Sequence, residues 1–139
     1  TIFSDPRKRD RFHQIVHPVM LRRVHEHMQT LRKEKSAFPY AVLDVALLFE
    51  LSLENQVDCV VTVYAPKETC IQRAMLKSGL TRDEILARLQ AQLPQSVKME
   101  RADYIVENMG TPGDLTKQVH SLHRWLTDRF EKQEIRDSG

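Results

Sequence analysis

Four cationic side chains near the middle of the sequence have a spacing that suits phosphate chemistry. They are Arg73, Lys77, Arg82 and Arg88. The first two are four residues apart and therefore share one face of a helix, where cations can neutralise the oxygens of a transferred phosphoryl group. The same side chains also fit a solvated helix surface on which they pair with Asp83 and Glu84. Spacing alone leaves both interpretations open.

Other chemistries find less support in the sequence. Two pairs of histidines, His13 with His17 and His120 with His123, have spacings that can bring two imidazoles to one helix face, as a zinc site requires. Neither pair has an acidic or sulfur partner, so we expect no metal there. The sequence has no G-x-S-x-G motif, which argues against a serine hydrolase.

The composition is that of an ordinary globular domain. The chain has 139 residues, 41% of them hydrophobic, and its formal net charge of +2 is far from the basic balance of a dedicated nucleic-acid binder. No apolar run approaches the length of a membrane span. Cys59 and Cys70 form no C-x-x-C pattern, which indicates reduced thiols in a cytoplasmic protein. We therefore expect one cytoplasmic domain over residues 1–139, with neither a nucleic-acid nor a membrane partner.

The elements that would position these residues begin with a helical segment. The sequence Ser-Asp-Pro at residues 4–6 can cap and open a helix, and helical periodicity continues to about Glu34. Because proline disfavours a helical conformation in the residue before it, the His17–Pro18 step predicts a division into two helices. Residues 40–49 are a nearly continuous apolar run, which predicts a strand buried on both faces.

Strands and helices alternate along the rest of the chain. The predicted elements are a strand over residues 57–64, a helix over 67–77, a helix over 81–92, a short helix from Pro94, a strand over 104–106 and a final helix whose charged end frays from about residue 131. Gly79 is placed as a helix stop, and Thr81 with Glu84 forms a capping box. This alternation indicates an α/β domain with a mainly parallel sheet, in which ligands gather at the carboxyl ends of the strands.

Six segments together resemble the bacterial dephospho-coenzyme A kinases. They are IFSDP at residues 2–6, HP at 17–18, VALLFE at 45–50, VYAP at 63–66, QLP at 92–94 and ADYIVENMG at 102–110. Their order and spacing also fit that family, and the similarity extends from Ile2 to the final helix. The resemblance implies a P-loop, nucleoside-monophosphate-kinase-like α/β fold with a helical lid over residues 67–101 and with its first strands missing from this chain.

The resemblance also implies a reaction, the last step of coenzyme A biosynthesis. In it the γ-phosphoryl group of ATP, with magnesium, passes to the ribose 3′-hydroxyl of dephospho-CoA. Such transfer depends on positioning and on neutralising charge over the phosphoryl oxygens. In the lid, the implied residues are Arg73, Arg88 and Lys77, which stands where the family has an arginine. A lysine keeps the charge but lacks the planar fork of a guanidinium.

The resemblance further implies two ligand-facing regions outside the lid. Asn108, Gly110 and Pro112 match the loop that lies against the adenine of ATP, where an amide can read ring edges and a glycine lets the backbone come close. The residues that the resemblance places towards dephospho-CoA are His17, Leu47, Leu48 and Glu50. The proline that the family has before Leu47 is Ala46 here.

The phosphate-binding motif of the family does not occur in this sequence. No glycine begins a G-x-x-x-x-G-K-[ST] pattern, and the resemblance places that loop, the catalytic aspartate and the central first strand before the equivalent of Thr1. We therefore expect this chain alone to be inactive, marginally stable and open along one strand edge. It is either a piece of a kinase or a non-catalytic remnant that binds CoA-like ligands or a protein partner. A third hypothesis is nucleic-acid binding through the early basic helices.

Overall fold

The structure, a computed structural model, describes residues 6–33 and 39–137 and divides into two compact units, residues 1–44 and 45–139. The first unit contains α1, from Pro6 to Lys33. The predicted division at Pro18 is wrong, since this proline lies inside the helix; it removes one main-chain donor, and the helical hydrogen bonds on either side maintain the element. The predicted cap residues Ser4 and Asp5 lie outside the described residues. One domain over the whole chain stays a prediction.

The predicted strand over residues 40–49 is wrong. Val42 is 78% exposed, and residues 46–52 form hydrogen-bonded turns in which the Leu53 N–H donates to the Leu48 carbonyl at 2.9 Å. A 3₁₀ turn follows at Leu53–Gln56, and Leu53 is fully buried. An apolar run predicts burial, but it does not distinguish a strand from compact turns when no neighbouring strand is at hand.

The sheet of the second unit has two parallel strands in the described residues. β1 (Val61–Tyr64) pairs with β2 (Tyr104–Glu107) in a register that sets Val61 opposite Tyr104. Both strands were predicted, but the first begins at Val61 rather than at Val57. Just before it, the Val60 N–H donates to the Asp103 carboxylate at 2.8 Å, so a side chain takes the place of a strand partner there.

Three helices connect β1 to β2. They are α2 (Lys67–Ser78), α3 (Arg82–Gln90) and α4 (Gln95–Glu100). Gly79 ends α2 with a φ of 66°, a left-handed conformation that glycine adopts without strain. The predicted capping box of Thr81 and Glu84 is confirmed, and α3 ends two residues before the predicted boundary.

The last helix, α5 (Pro112–Asp137), packs against β2. The rings of Tyr104 and Trp125 lie 5.1 Å apart between their centroids, and Leu126 is buried in the core of the second unit. The helix continues through Asp137, past the residue at which fraying was predicted. Among the described residues, no helix combines the length and apolar character needed to span a membrane.

One edge of β1 carries no strand in the described part of the chain. The sheet order there is β1 beside β2 alone. The Gln95 side-chain amide donates to the Val63 carbonyl at 3.3 Å. A polar side chain of α4 therefore satisfies part of this edge where a neighbouring strand would otherwise lie.

Candidate functional site

The structure brings two of the predicted site residues together at the carboxyl end of β2. Arg73 projects from α2, and its Nη1 donates to the Asn108 carbonyl at 2.9 Å. Asn108 follows β2 directly, and its own N–H donates to the Tyr64 carbonyl at 2.7 Å, at the end of β1. The base of the helical segment and the loop after β2 therefore meet at the end of the sheet where ligands of α/β proteins bind.

The other predicted cations are exposed on the helices between the strands. Lys77 lies in the last turn of α2 and Arg88 in the last turn of α3, where a positive charge favours the helix dipole. Arg73, in contrast, forms its hydrogen bond with the loop after β2. That Lys77 and Arg88 neutralise charge on a phosphoryl group stays a prediction from the resemblance.

Arg82 has a structural role. Its guanidinium makes two parallel hydrogen bonds to Glu68, at 2.7 and 2.8 Å, and so ties α3 to α2. The hydrogen bonds from Arg82 hold the pKa of Glu68 below its ordinary value. Arg82 is therefore an exposed cation paired with a carboxylate, as the solvated-surface interpretation has it. Its partner, however, is Glu68 of the preceding helix rather than Asp83 or Glu84.

The loop after β2 ends in a compact helix cap. Asp114 Oδ2 accepts hydrogen bonds from the Thr111 hydroxyl at 2.7 Å and from the Thr111 N–H at 3.1 Å, and these bonds hold the pKa of Asp114 below its ordinary value. A Cβ placed on Gly110 would lie 2.8 Å from Asp114 Oδ2, so only glycine fits beside the cap without a shift. Pro112 opens α5, a position that needs no N–H donor.

Glu50 is held by the chain's own groups. Its Oε1 accepts from the Leu93 N–H at 2.8 Å and from Lys98 Nζ at 3.1 Å. Lys98 Nζ also donates to the Ala46 carbonyl at 3.2 Å and to Gln92 Oε1 at 3.3 Å. The two charged side chains are 19% and 15% exposed, so they form a largely buried pair that, with Leu93, fastens residues 46–50 to α4.

A second contact reinforces this attachment. The Arg101 guanidinium lies 4.5 Å from the centre of the Phe49 ring and forms an ion pair with Glu54. Leu47 and Leu48 lie within the attached turns and are half-buried. His17 belongs to the first unit, and its part in any site rests on the resemblance alone. Of the predicted substrate-side residues, the structure brings together Leu47, Leu48 and Glu50.

The Glu50 carboxylate makes stability depend on pH. Burial alone would raise its pKa, but hydrogen bonds from the main chain and from Lys98 outweigh this and hold the pKa below the ordinary value of 4.5. The folded chain therefore binds the proton of Glu50 less readily than the unfolded chain does. This contribution to stability is present above about pH 4.5 and is lost as the pH falls through the lower, folded value.

We expect the variant Glu50→Gln to be less stable than the parent near neutral pH, with the difference shrinking as the pH falls below about 4.5. The measurement is urea unfolding of both proteins at a series of pH values. A stability difference that stays constant from neutral pH down to about pH 3 would show that the carboxylate charge of Glu50 does not stabilise the fold.

Two residues that matter to the site were missed from the sequence. Lys98 looks like any solvated lysine in a short helix, and Gln118 looks like any polar residue of α5, yet the Gln118 amide binds both main-chain groups of Glu107. The partners of Lys98 and Gln118 lie outside the helices that carry them, and local sequence patterns do not predict such long-range contacts. A single sequence therefore carries no signal for either role.

The comparisons with known proteins give one consistent result. A family model described as dephospho-CoA kinase matches residues 1–114. The dephospho-CoA kinase of Anaeromyxobacter dehalogenans is 40% identical over 121 residues, which cover 87% of this chain and 56% of that protein. A dephospho-CoA kinase of Thermus thermophilus is 35% identical over 126 residues, covering 91% of this chain and 60% of that protein.

Solved structures agree with these matches. A crystal structure of a Thermus thermophilus protein superposes with a TM-score of 0.70 at 35% identity, covering 91% of this chain and 63% of that one. A dephospho-CoA kinase from Campylobacter jejuni superposes with a TM-score of 0.60 at 25% identity, covering 91% and 62%. The chain therefore spans about 60% of the length of the relatives that it matches.

Proposed function

This chain belongs to the dephospho-CoA kinase family, and we propose that it forms part of an enzyme that transfers the γ-phosphoryl group of ATP to the ribose 3′-hydroxyl of dephospho-CoA. Its α/β fold with a parallel sheet is that of its structural relatives. The activity is proposed for a protein that contains the phosphate-binding loop, because these 139 residues contain no such motif.

The observation that carries the proposal is the hydrogen bond from Arg73 to the Asn108 carbonyl, 2.9 Å long. It joins the base of a cationic helix to the loop at the carboxyl end of β2. A nucleotide needs both features close together, since its base requires polar groups that read ring edges and its phosphates require positive charge. The contact supports one nucleotide bridging the loop and α2.

In the proposed complex the adenine lies against the loop and the phosphates face the helices. The Asn108 amide would read an edge of the ring, Gly110 would allow close approach, and Pro112 would fix the start of α5. The cations that would neutralise charge on the transferred phosphoryl group are Arg73, Lys77 and Arg88. Movement of α2 and α3 over the nucleotide would exclude water from the reaction.

Dephospho-CoA would lie against the turns that contain Leu47 and Leu48. The role of His17 towards the substrate, which the resemblance implies, stays a prediction. Oε1 of the Glu50 carboxylate is occupied by Leu93 and Lys98, while its Oε2 is buried and has no hydrogen-bond partner among the described residues. We therefore assign it the role of holding these turns in place rather than that of binding the substrate directly. The two leucines offer an apolar surface that suits the uncharged part of a pantetheine-containing ligand.

Magnesium and location complete the proposal. The described residues contain no group of three or more His, Cys, Asp or Glu side chains that could hold a metal ion. The magnesium that the family resemblance implies would enter with ATP and offset charge on its phosphates. We propose a cytoplasmic location, which suits the free thiols of Cys59 and Cys70.

An NMR titration of this chain with ATP tests the adenine loop. We expect ATP to shift the amide resonances of residues 108–111 and of α2, and we expect Asn108→Ala to weaken binding about tenfold through loss of one polar contact. The control is Asn55→Ala, an exposed asparagine whose side chain makes no hydrogen bond within the described residues. Equal ATP affinities of parent and Asn108→Ala, or shifts confined to other regions, would contradict the placement.

A further inference from the structure

The outer edge of β2 exposes main-chain groups just before the candidate adenine loop. The Asn108 N–H points towards β1, where it donates to the Tyr64 carbonyl at 2.7 Å. Main-chain groups of a strand alternate between its two edges, so the N–H and carbonyl of Glu107 point to the opposite edge. The described sheet has no third strand at that edge.

Gln118 of α5 takes the place of a strand there. Its Oε1 accepts from the Glu107 N–H at 2.7 Å, and its Nε2 donates to the Glu107 carbonyl at 2.6 Å. A side-chain amide is the one group of this length that offers both an acceptor and a donor to a single residue. A glutamate could accept but not donate, and a leucine could do neither.

The hydrogen bonds around Glu107 and Asn108 do not involve the side-chain amide of Asn108. The N–H of Asn108 binds Tyr64, and its carbonyl accepts from Arg73. The main chain of residues 107 and 108 is thereby held on every polar atom. The side-chain amide of Asn108, in contrast, makes no hydrogen bond to any residue in the described part of the chain, so a fixed main chain carries an amide without a partner there.

From this arrangement we infer that Gln118 is a positioning residue, which sets the Asn108 amide to read the edge of a purine base. The inference rests on the proposed function, because it takes the loop to be the base-binding element. A ligand-binding group that is already oriented loses less conformational freedom on binding. Gln118 does not touch the base and acts only through Glu107 and Asn108.

The experiment compares Gln118→Leu and Gln118→Glu with the parent chain. Leucine favours the helix, so α5 should remain folded, and the glutamate variant retains the acceptor for the Glu107 N–H. We expect Gln118→Leu to speed hydrogen exchange of the Glu107 amide about tenfold. The same variant should reduce the preference for ATP over GTP in NMR titrations about tenfold. Gln118→Glu, which keeps this acceptor, should retain more of both the exchange protection and the base preference than Gln118→Leu does.

The control is Gln90→Leu, the same substitution at an exposed residue of α3 whose side chain makes no hydrogen bond within the described residues. It should leave both the exchange rate and the base preference unchanged. A Gln118→Leu variant with parental exchange at Glu107, or with faster exchange but an unchanged ATP-to-GTP ratio, would overturn the inference. If the parent binds neither nucleotide, the proposed function fails and this inference fails with it; faster exchange at Glu107 would then show a structural role only.

Discussion

Replacing Lys98 by methionine is expected to lower the free energy of unfolding by about 2–4 kcal/mol. The variant leaves the Glu50 carboxylate, 19% exposed, without its cationic partner. It also removes the hydrogen bonds to the Ala46 carbonyl and to Gln92. Methionine keeps most of the length and of the apolar stem, so the loss reflects the charge and its hydrogen bonds rather than packing.

Urea unfolding at neutral pH measures this loss. The matched control is Lys117→Met on α5, whose side chain is 82% exposed and lies 3.8 Å from Asp114; its effect should stay within about 0.5 kcal/mol. The double variant Glu50→Met with Lys98→Met should recover part of the loss, because no unpaired charge is then left. Equal effects of Lys98→Met and Lys117→Met would show that residues 46–50 are not held by this lysine.

The second large effect concerns Arg73 in the phosphoryl-transfer reaction. We expect Arg73→Ala to lower kcat/KM about 10²- to 10³-fold, as loss of one group that stabilises transition-state charge does in other enzymes. The variant also removes the hydrogen bond to the Asn108 carbonyl. Arg73→Lys should retain part of the activity, since it keeps the charge but lacks the planar guanidinium.

This effect is measured in a chimera in which a segment with the phosphate-binding loop of the family precedes Thr1, where the family resemblance places that loop. The segment is to be taken from the Anaeromyxobacter dehalogenans relative. Arg124→Ala serves as the control, because Arg124 is an exposed arginine of α5 that makes no hydrogen bond within the described residues. It should leave kcat/KM within about twofold of the parent chimera. A similar loss from both substitutions would remove Arg73 from the proposed site.

Local chemistry made much of the second unit predictable. The capping box of Thr81 and Glu84 and the glycine at position 79 are decided by atoms a few residues apart. The strand that became β2 has a clear apolar core flanked by polar residues. Each of these elements has a short-range cause, so a single sequence is sufficient to predict it.

Predictions failed where distant parts of the chain decide the conformation. The apolar run at residues 40–49 forms no strand. Its second half forms turns, which are fastened by Lys98 of α4 and by Arg101, the residue after α4. Pro18 was predicted to break a helix that in fact continues through it. The same reason explains what was predictable in the site. Arg73 and Asn108 could be named as candidates from the sequence, but their contact, which joins positions 35 apart, could not be predicted from it.

Phosphoryl transfer by the chimera is the most direct test of the central claim that this chain supplies the nucleotide-binding and substrate-binding parts of a dephospho-CoA kinase. The assay follows ATP-dependent conversion of dephospho-CoA and locates the new phosphate by mass spectrometry and NMR. We predict one phosphate on the ribose 3′-hydroxyl, with activity that depends on Arg73. A chimera that folds and binds ATP, yet transfers no phosphate to dephospho-CoA, would contradict the claim.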